Sequence, residues 1–377
     1  MTSPAATEIH GFVKPGFEPV RDAFAANFEA GLEVGASFAA TVDGEPVVDL
    51  WAGHTDEART KPWERDTIAC VFSTTKATVA TACAMLVDRG LLEYGQPVAK
   101  YWPEFAQAGK GNVTVGQLLS HQAGLPGITN RQLRDYYNWA AVTEALAAET
   151  PWWEPGTANG YHAITFGHLG GELVRRITGK GYGAFLRDEI AGPLNADFQV
   201  GFGPDQDARV APMFPPAALE GMPEDALLTK VLANPPFDTA QANDREYRAA
   251  EIPAANGHGN ARSVARIMSA LACGGTVDGI RLLSEEAIEA ASTEECYRPD
   301  LVLLSPMRWG RGFMLVSNDM PVSPNPRTFG HGGAGGSLGI ADMDARLSWA
   351  YVMNKMAATT TGDIRGGAVG MALYGCL

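Results

Sequence analysis

Strand-like segments at both ends of the chain and helices through its middle predict a mixed α/β fold. One sheet is assembled from the two termini and flanked by helices, with a mainly helical lobe inserted between. Three observations carry this. Residues 35–51 read as two short strands joined at Asp43-Gly44, a strong hairpin dipeptide. Strand character returns at 309–316, 328–339 and 347–353. Between these ends, residues 77–88 are rich in Ala, Val, Met and Leu and carry almost no charge, the composition of a central core helix. The expected division is a discontinuous sheet lobe, residues 1–80 and 255–377, around a helical lobe, residues 81–254. Binding sites commonly lie in the crevice between two such lobes.

Taken in order, residues 15–31 read as an amphipathic helix, followed by the hairpin and the core helix, for which Gly90 is the stop. Residues 113–119 begin a short helix that leads into a turn at Gly124-Leu125-Pro126-Gly127. Residues 131–149 and 164–190 have helical spacing, the second broken at Gly179 and Gly181. Residues 192–258 are rich in Pro, Gly and Ala without clear period, suited to loops and short helices that shape a pocket. Residues 261–273 and 362–374 complete the helices.

The chain has 377 residues, enough for two lobes, with 46% hydrophobic and 19% charged residues as in an ordinary globular protein. A formal charge of −14 argues against nucleic acid or an anionic membrane as partner. Five scattered cysteines form no C-x-x-C pair and suit free thiols in a reducing compartment. The start of the chain has no basic patch followed by an apolar run, and no stretch approaches 18 apolar residues. A cytoplasmic protein without a membrane span is expected.

Chemistry concentrates at Ser73-Thr74-Thr75-Lys76, at the entrance to the core helix. Positions i and i+3 share a helix face, so the hydroxyl and the amine can act as one unit. A serine hydroxyl needs a base beside it, and a desolvated lysine can be that base. The helix N-terminus supplies unpaired N–H groups and a positive dipole end for a developing anion. The alternative is a capping serine with a solvated lysine, but a cation suits a positive helix end poorly. A second element is the Pro/Gly loop Trp152-Trp153-Glu154-Pro155-Gly156, with Tyr161 following just before a helix. A tyrosine there, taken alone, reads as packing; Trp152 and Trp153 suit an acyl pocket and core packing equally. The third element, Phe329-Gly330-His331-Gly332-Gly333-Ala334, is a glycine-rich strand. Such a strand invites close approach of a ligand, and as an edge strand can offer an N–H to a carbonyl oxygen.

Three ordered elements, S-x-x-K at Ser73–Lys76, the tyrosine at Tyr161 and H-x-G at His331–Gly333, make the chain resemble the serine β-lactamase and penicillin-binding-protein superfamily. Within it, the resemblance is to the class C-like (family VIII) carboxylesterases and spans roughly residues 20 to 375. It implies a serine β-lactamase-like fold with an antiparallel sheet, and Ser73 as nucleophile, Lys76 as proton acceptor and Tyr161 as a phenolate or proton shuttle. It further implies an oxyanion hole from the backbone N–H groups of Ser73 and Ala334, and substrate contacts along His331, Gly332 and Gly333. Two departures bear on substrate. Ala163 stands where a lactamase has the asparagine that contacts a lactam's side chain. His331 replaces a lysine that would attract a carboxylate, and histidine is mostly neutral at pH 7.

The expected activity is therefore hydrolysis of small neutral short- to medium-chain esters through acyl-Ser73, with neither metal nor organic cofactor. The alternatives are a β-lactamase or DD-peptidase, an acyltransferase with an alcohol acceptor, and a non-catalytic binding protein. Gly335-Gly336-Ser337-Leu338-Gly339 matches G-x-S-x-G, but no histidine follows His331 and the segment continues as strand, so Ser337 reads as structural or pocket-lining. The seven histidines show no H-E-x-x-H spacing.

Overall fold

A computed structural model describes residues 7–130, 132–216 and 226–377. The first residue of the expected 131–149 helix, residues 217–225 of the aperiodic stretch and the start of the chain through residue 6 fall outside these.

A nine-stranded antiparallel sheet organises the chain. Its strands are β1 (Ile9–Val13), β2 (Gly35–Val42), β3 (Glu45–Gly53), β4 (Cys296–Pro299), β5 (Pro306–Trp309), β6 (Met314–Leu315), β7 (Thr328–Gly332), β8 (Leu338–Asp342) and β9 (Leu347–Met353). Their spatial order is β1-β3-β2-β9-β8-β7-β6-β5-β4. The last strand therefore pairs with the first hairpin, Tyr351 opposite Phe38, and the two ends of the chain share one sheet. At the hairpin, Asp43 (φ 51°) and Gly44 (φ 81°) are both left-handed, as a tight two-residue turn requires. Strands β2 and β9 are central and buried along nearly their whole length, which explains their unbroken apolar runs.

The principal helices are α1 (Glu18–Glu29), α2 (Lys76–Asp88), α3 (Val115–Leu119), α4 (Trp139–Ala148), α5 (Thr165–Thr178), α6 (Ala261–Ala272), α7 (Glu285–Ser292) and α8 (Ile364–Tyr374). Alternation along β9 separates the layers. Ser348 Oγ donates to Ala265 O of α6 at 2.8 Å. Trp349 and Tyr351 instead lie against Gly370 and Gly366 of α8. So α6 covers one face, and α8 with α1 packed on it covers the other. Helix α2 runs between α5 and α7, with residues 76 to 86 all buried. Gly90 (φ 68°) ends it and Gly179 (φ 74°) ends α5, because each turn needs a left-handed residue.

Four expectations need correcting. The 309–316 strand is a hairpin: Trp309 pairs with Met314 around a turn at Gly312, whose α-carbon sits against Ala80 of α2. The 328–339 strand is likewise folded back, β7 and β8 pairing His331 with Gly339 around a 3₁₀ turn at Ala334–Gly336. Strand β7 is not an edge; its outer side pairs with β6 through Gly330 and Phe329, leaving the His331–Gly332 end beyond that ladder. Residues 132–138 are not helical, because Asn138 caps α4 by accepting from Ala141 N at 3.1 Å.

Candidate active site

The approach to Ser73 is pinned on both sides. Val71 N donates to Gly257 O at 2.9 Å, and Ser337 Oγ donates to Val71 O at 2.7 Å. Phe72 then turns left-handed (φ 42°), a costly conformation for a bulky residue, and swings Ser73 into a 3₁₀ turn, Phe72–Thr75, that feeds α2. Ser337 also bonds to Thr74 Oγ1 at 2.9 Å and is fully buried. It ties β8 to the nucleophile turn and is structural, as the G-x-S-x-G match alone could not decide.

Lys76 is fully buried, which removes the solvated-lysine alternative. Its Nζ lies 2.8 Å from Ser73 Oγ, 2.6 Å from Ala163 O and 2.9 Å from Ala254 O. Burial holds this amine well below the ordinary lysine value of 10.5, because the charged form is stripped of water with no carboxylate to compensate. The donor count then orients the amine. Two carbonyls can only accept, so a neutral amine gives them both its N–H bonds and keeps one lone pair, for the Ser73 proton.

Tyr161 is buried beside this pair, with Lys76 Nζ 4.8 Å from its ring centroid. The ring clusters with Trp309 (5.8 Å, 5°) and His331 (6.0 Å, 27°), whose own centroids are 5.9 Å apart, and His121 meets its edge (5.1 Å). Burial pushes its phenol above the ordinary value; the Ser73 hydroxyl opposes that and the Asp300 charge adds to it. No well-formed hydrogen bond closes on its hydroxyl. Protonated and unpartnered, it is a donor held in reserve.

Ser73 is the second residue of one 3₁₀ turn and Ala334 the first of another, positions whose N–H groups have no intrahelical acceptor. Both residues line a cavity of about 340 Å³, together with Tyr161. Its walls are mostly apolar: Phe72, Ile164, Leu228, Leu232, Phe237 and Met356. Among the described residues lining it none is a lysine or arginine, and the one charged side chain is Asp238.

Five expected substrate contacts lie elsewhere. His331 is 1% exposed and stands behind Tyr161, outside the cavity lining. Burial, reinforced by nearby Lys76, pushes its imidazole to about 3, so it is neutral; Nδ1 is 2.7 Å from Gly332 O. Gly332 and Gly333 are packing positions. A Cβ on Gly333 would meet Val71 O and Ser337 Oγ at 2.3 Å and Ser73 N at 3.2 Å. Trp152 covers Gly127 and donates to Glu149, while Trp153 covers Gly160 and donates to Ala158 O. For both, the packing alternative holds.

With this geometry in place, the comparisons fall into line. The family model for β-lactamase matches residues 24–370. The chain belongs to the β-lactamase family. The esterase/β-lactamase LipL of Mycobacterium tuberculosis (strain ATCC 25618 / H37Rv) is 36% identical over 97% of this chain and 88% of its own length. The crystal structure of a family VIII carboxylesterase superposes with a TM-score of 0.93 at 48% identity, covering 98% of this chain and 100% of that one. A penicillin-binding-protein homologue from Caulobacter crescentus gives the same TM-score, 0.93, at 42% identity with the same coverage, 98% and 100%.

This β-lactamase-family site also uses groups that sequence reasoning missed. The two carbonyls that orient Lys76, from Ala163 and Ala254, are backbone atoms and leave no residue signature. His121 also packs against the site: Nδ1 accepts from the backbone N–H of His162 at 3.1 Å, Nε2 has no partner among the described residues, and the ring packs on Tyr161 and Trp309. Asp300, buried behind Tyr161, stands in a loop with nothing to single it out.

Proposed function

We propose that the protein is a serine carboxylesterase that cleaves short- to medium-chain neutral esters through an acyl-Ser73 intermediate. The carrying observation is Lys76, whose two carbonyl partners leave its lone pair to Ser73. Ser73 Oγ attacks the ester carbonyl carbon as its proton passes to Lys76 Nζ. The carbonyl oxygen becomes an oxyanion held by the N–H groups of Ser73 and Ala334. The C–O bond to the alcohol breaks, the leaving alkoxide takes the Tyr161 phenol proton, and Lys76 replaces it. Water then repeats the sequence in place of Ser73 and releases the acid.

Preference for neutral esters rests on the cavity. A lactam antibiotic brings a carboxylate, whereas the described lining offers no cation and one acid, Asp238. LipL, whose name joins esterase with β-lactamase, keeps lactam hydrolysis as the second reading. We place the site between a sheet lobe and a helical lobe, and the protein in a reducing compartment on its five free cysteines.

Hydrolysis of p-nitrophenyl butanoate by wild type and Ser73→Ala, with nitrocefin in parallel, tests this. Ester cleavage is expected to fall by about 10³-fold or more in the variant, with nitrocefin slow throughout. Ester cleavage surviving in Ser73→Ala would assign the wrong nucleophile, and fast nitrocefin turnover would move the protein to the lactam hydrolases.

A further inference from the structure

Asp300 sits in the turn that follows β4 and is 1% exposed. Its carboxylate accepts four N–H bonds at once: Tyr161 N, Val302 N and Leu303 N at 2.9 Å on Oδ1, and Asn159 Nδ2 at 2.8 Å on Oδ2. Leu301 N donates to Asn159 O at 3.0 Å, so the 300–305 loop and the tyrosine loop are laced together at three points. Asp300 N donates to Ser305 O and Leu304 N to Asp300 O, both at 2.9 Å, which closes the 300–305 loop on itself.

This is an expensive arrangement to maintain for packing alone. A buried carboxylate is costly unless its lone pairs are filled, and here four donors converge on it. One of the four is the main-chain N–H of the residue whose phenol faces Ser73 in the cavity. The ring of Tyr161 is confined by Trp309, His331 and His121 from the side of the sheet and the His121 loop. Those contacts set the plane of the ring but leave it free to slide, because apolar stacking is not directional along the plane. The Asp300 bond fixes the backbone from which the ring hangs, and so the reach of its hydroxyl.

We propose that Asp300 is a positioning residue for the reaction, holding the Tyr161 hydroxyl at the distance from which it protonates the leaving alkoxide. The inference rests on the esterase reading above and on the role given there to Tyr161. Burial, with the Asp300 charge adding to it, keeps the phenol protonated, in keeping with a donor. Neither the Asp300 carboxylate nor Asn159 lines the cavity, so the effect passes through Tyr161 and the substrate does not touch it.

The test is a double-mutant cycle on p-nitrophenyl butanoate hydrolysis: wild type, Asp300→Asn, Tyr161→Phe and the double variant, each normalised to titrated active sites. Asparagine is nearly isosteric but turns one acceptor oxygen into a donor facing N–H groups. Asp300→Asn is expected to lower kcat about 30-fold with KM changed less than about threefold, and to cost less than about threefold once Tyr161 is Phe. An equal loss in both backgrounds overturns the proposal and places the effect on the Lys76 side, through Ala163, or on the fold. A rise confined to KM overturns it too, assigning Asp300 to the Leu303 wall of the cavity. If Tyr161→Phe alone changes nothing, the role of Tyr161 in the esterase reading fails, a result distinct from either. Should Asp300→Asn not fold, Asn159→Ala takes its place in the cycle, since it removes one of the four donors. A loss there that persists undiminished with Phe at 161 overturns the proposal equally.

Discussion

Lys76 shows how one residue turns burial into reactivity. Nothing about S-x-x-K lowers the pKa of a lysine; full burial does, by stripping the charged form of water. In the proposed mechanism the neutral amine is the active form, and burial holds its pKa well below 10.5. The rate should therefore be at full value above that lowered pKa and fall as pH drops through it. A pH profile of kcat/KM is expected to reach its plateau well below pH 10.5, with Lys76→Ala down about 10³-fold at every pH. Histidine is excluded as the source of the limb, since His331 and His162 are each pushed down to about 3 by burial. A limb near an ordinary histidine value that vanishes in His331→Gln would overturn the assignment of Lys76 as base.

At the scale of elements, the site depends on how closely β7 approaches the turn that carries Ser73. Gly333 makes that approach possible, because any Cβ there would drive into Val71 O and Ser337 Oγ at 2.3 Å. Both contacts are held by hydrogen bonds and cannot swing aside. Gly333→Ala is expected to push the Ala334 N–H away from Ser73, cutting kcat about 100-fold at a stability cost of about 1–3 kcal/mol. Kinetics paired with thermal melts check this, and wild-type kcat in the variant would mean that the strand has room. The hairpin at Asp43-Gly44, the buried run of α2 and the stops at Gly90 and Gly179 were all legible, because each rests on local backbone preference or period. The fold-backs at Gly312 and Gly335 were not. Both look like strand in composition, and both turns are dictated by a distant partner, Ala80 in one case and Met356 in the other. The pairing of Ser73 with Lys76 was legible from S-x-x-K taken together with its place at the entrance to a core helix. His331 was misplaced because its position in a motif says nothing of which side of Tyr161 it occupies, and Asp300 was missed because its partners are mostly main-chain N–H groups.

Across the whole molecule, the two ends of the chain meet beneath the oxyanion turn in one buried cluster. Glu33 follows α1 and is fully buried; its Oε1 lies 2.9 Å from Arg365 Nη1 of α8 and accepts from Tyr351 of β9 at 2.5 Å. Arg365 also donates to Gly335 O at 2.6 Å and pairs with Asp363 at 2.6 Å. Glu33 Oε2 has no partner. Burial raises the carboxyl from 4.5 to about 8 against the pull of Arg365, so the folded protein holds a proton there that the unfolded chain has lost. A group raised in this way stabilises most below its unfolded value and loses that contribution as pH climbs through the folded one. The window is therefore pH 4.5 to about 8, and the change over it is on the order of a few kcal/mol. Glu33→Gln keeps an acceptor for Arg365 and Tyr351 but cannot titrate. Melting temperature is expected to fall between pH 5 and pH 8.5 in wild type and to fall clearly less in Glu33→Gln. Parallel curves for the two proteins would show that Glu33 is already ionised in the folded state, paired with Arg365 as an ordinary salt bridge.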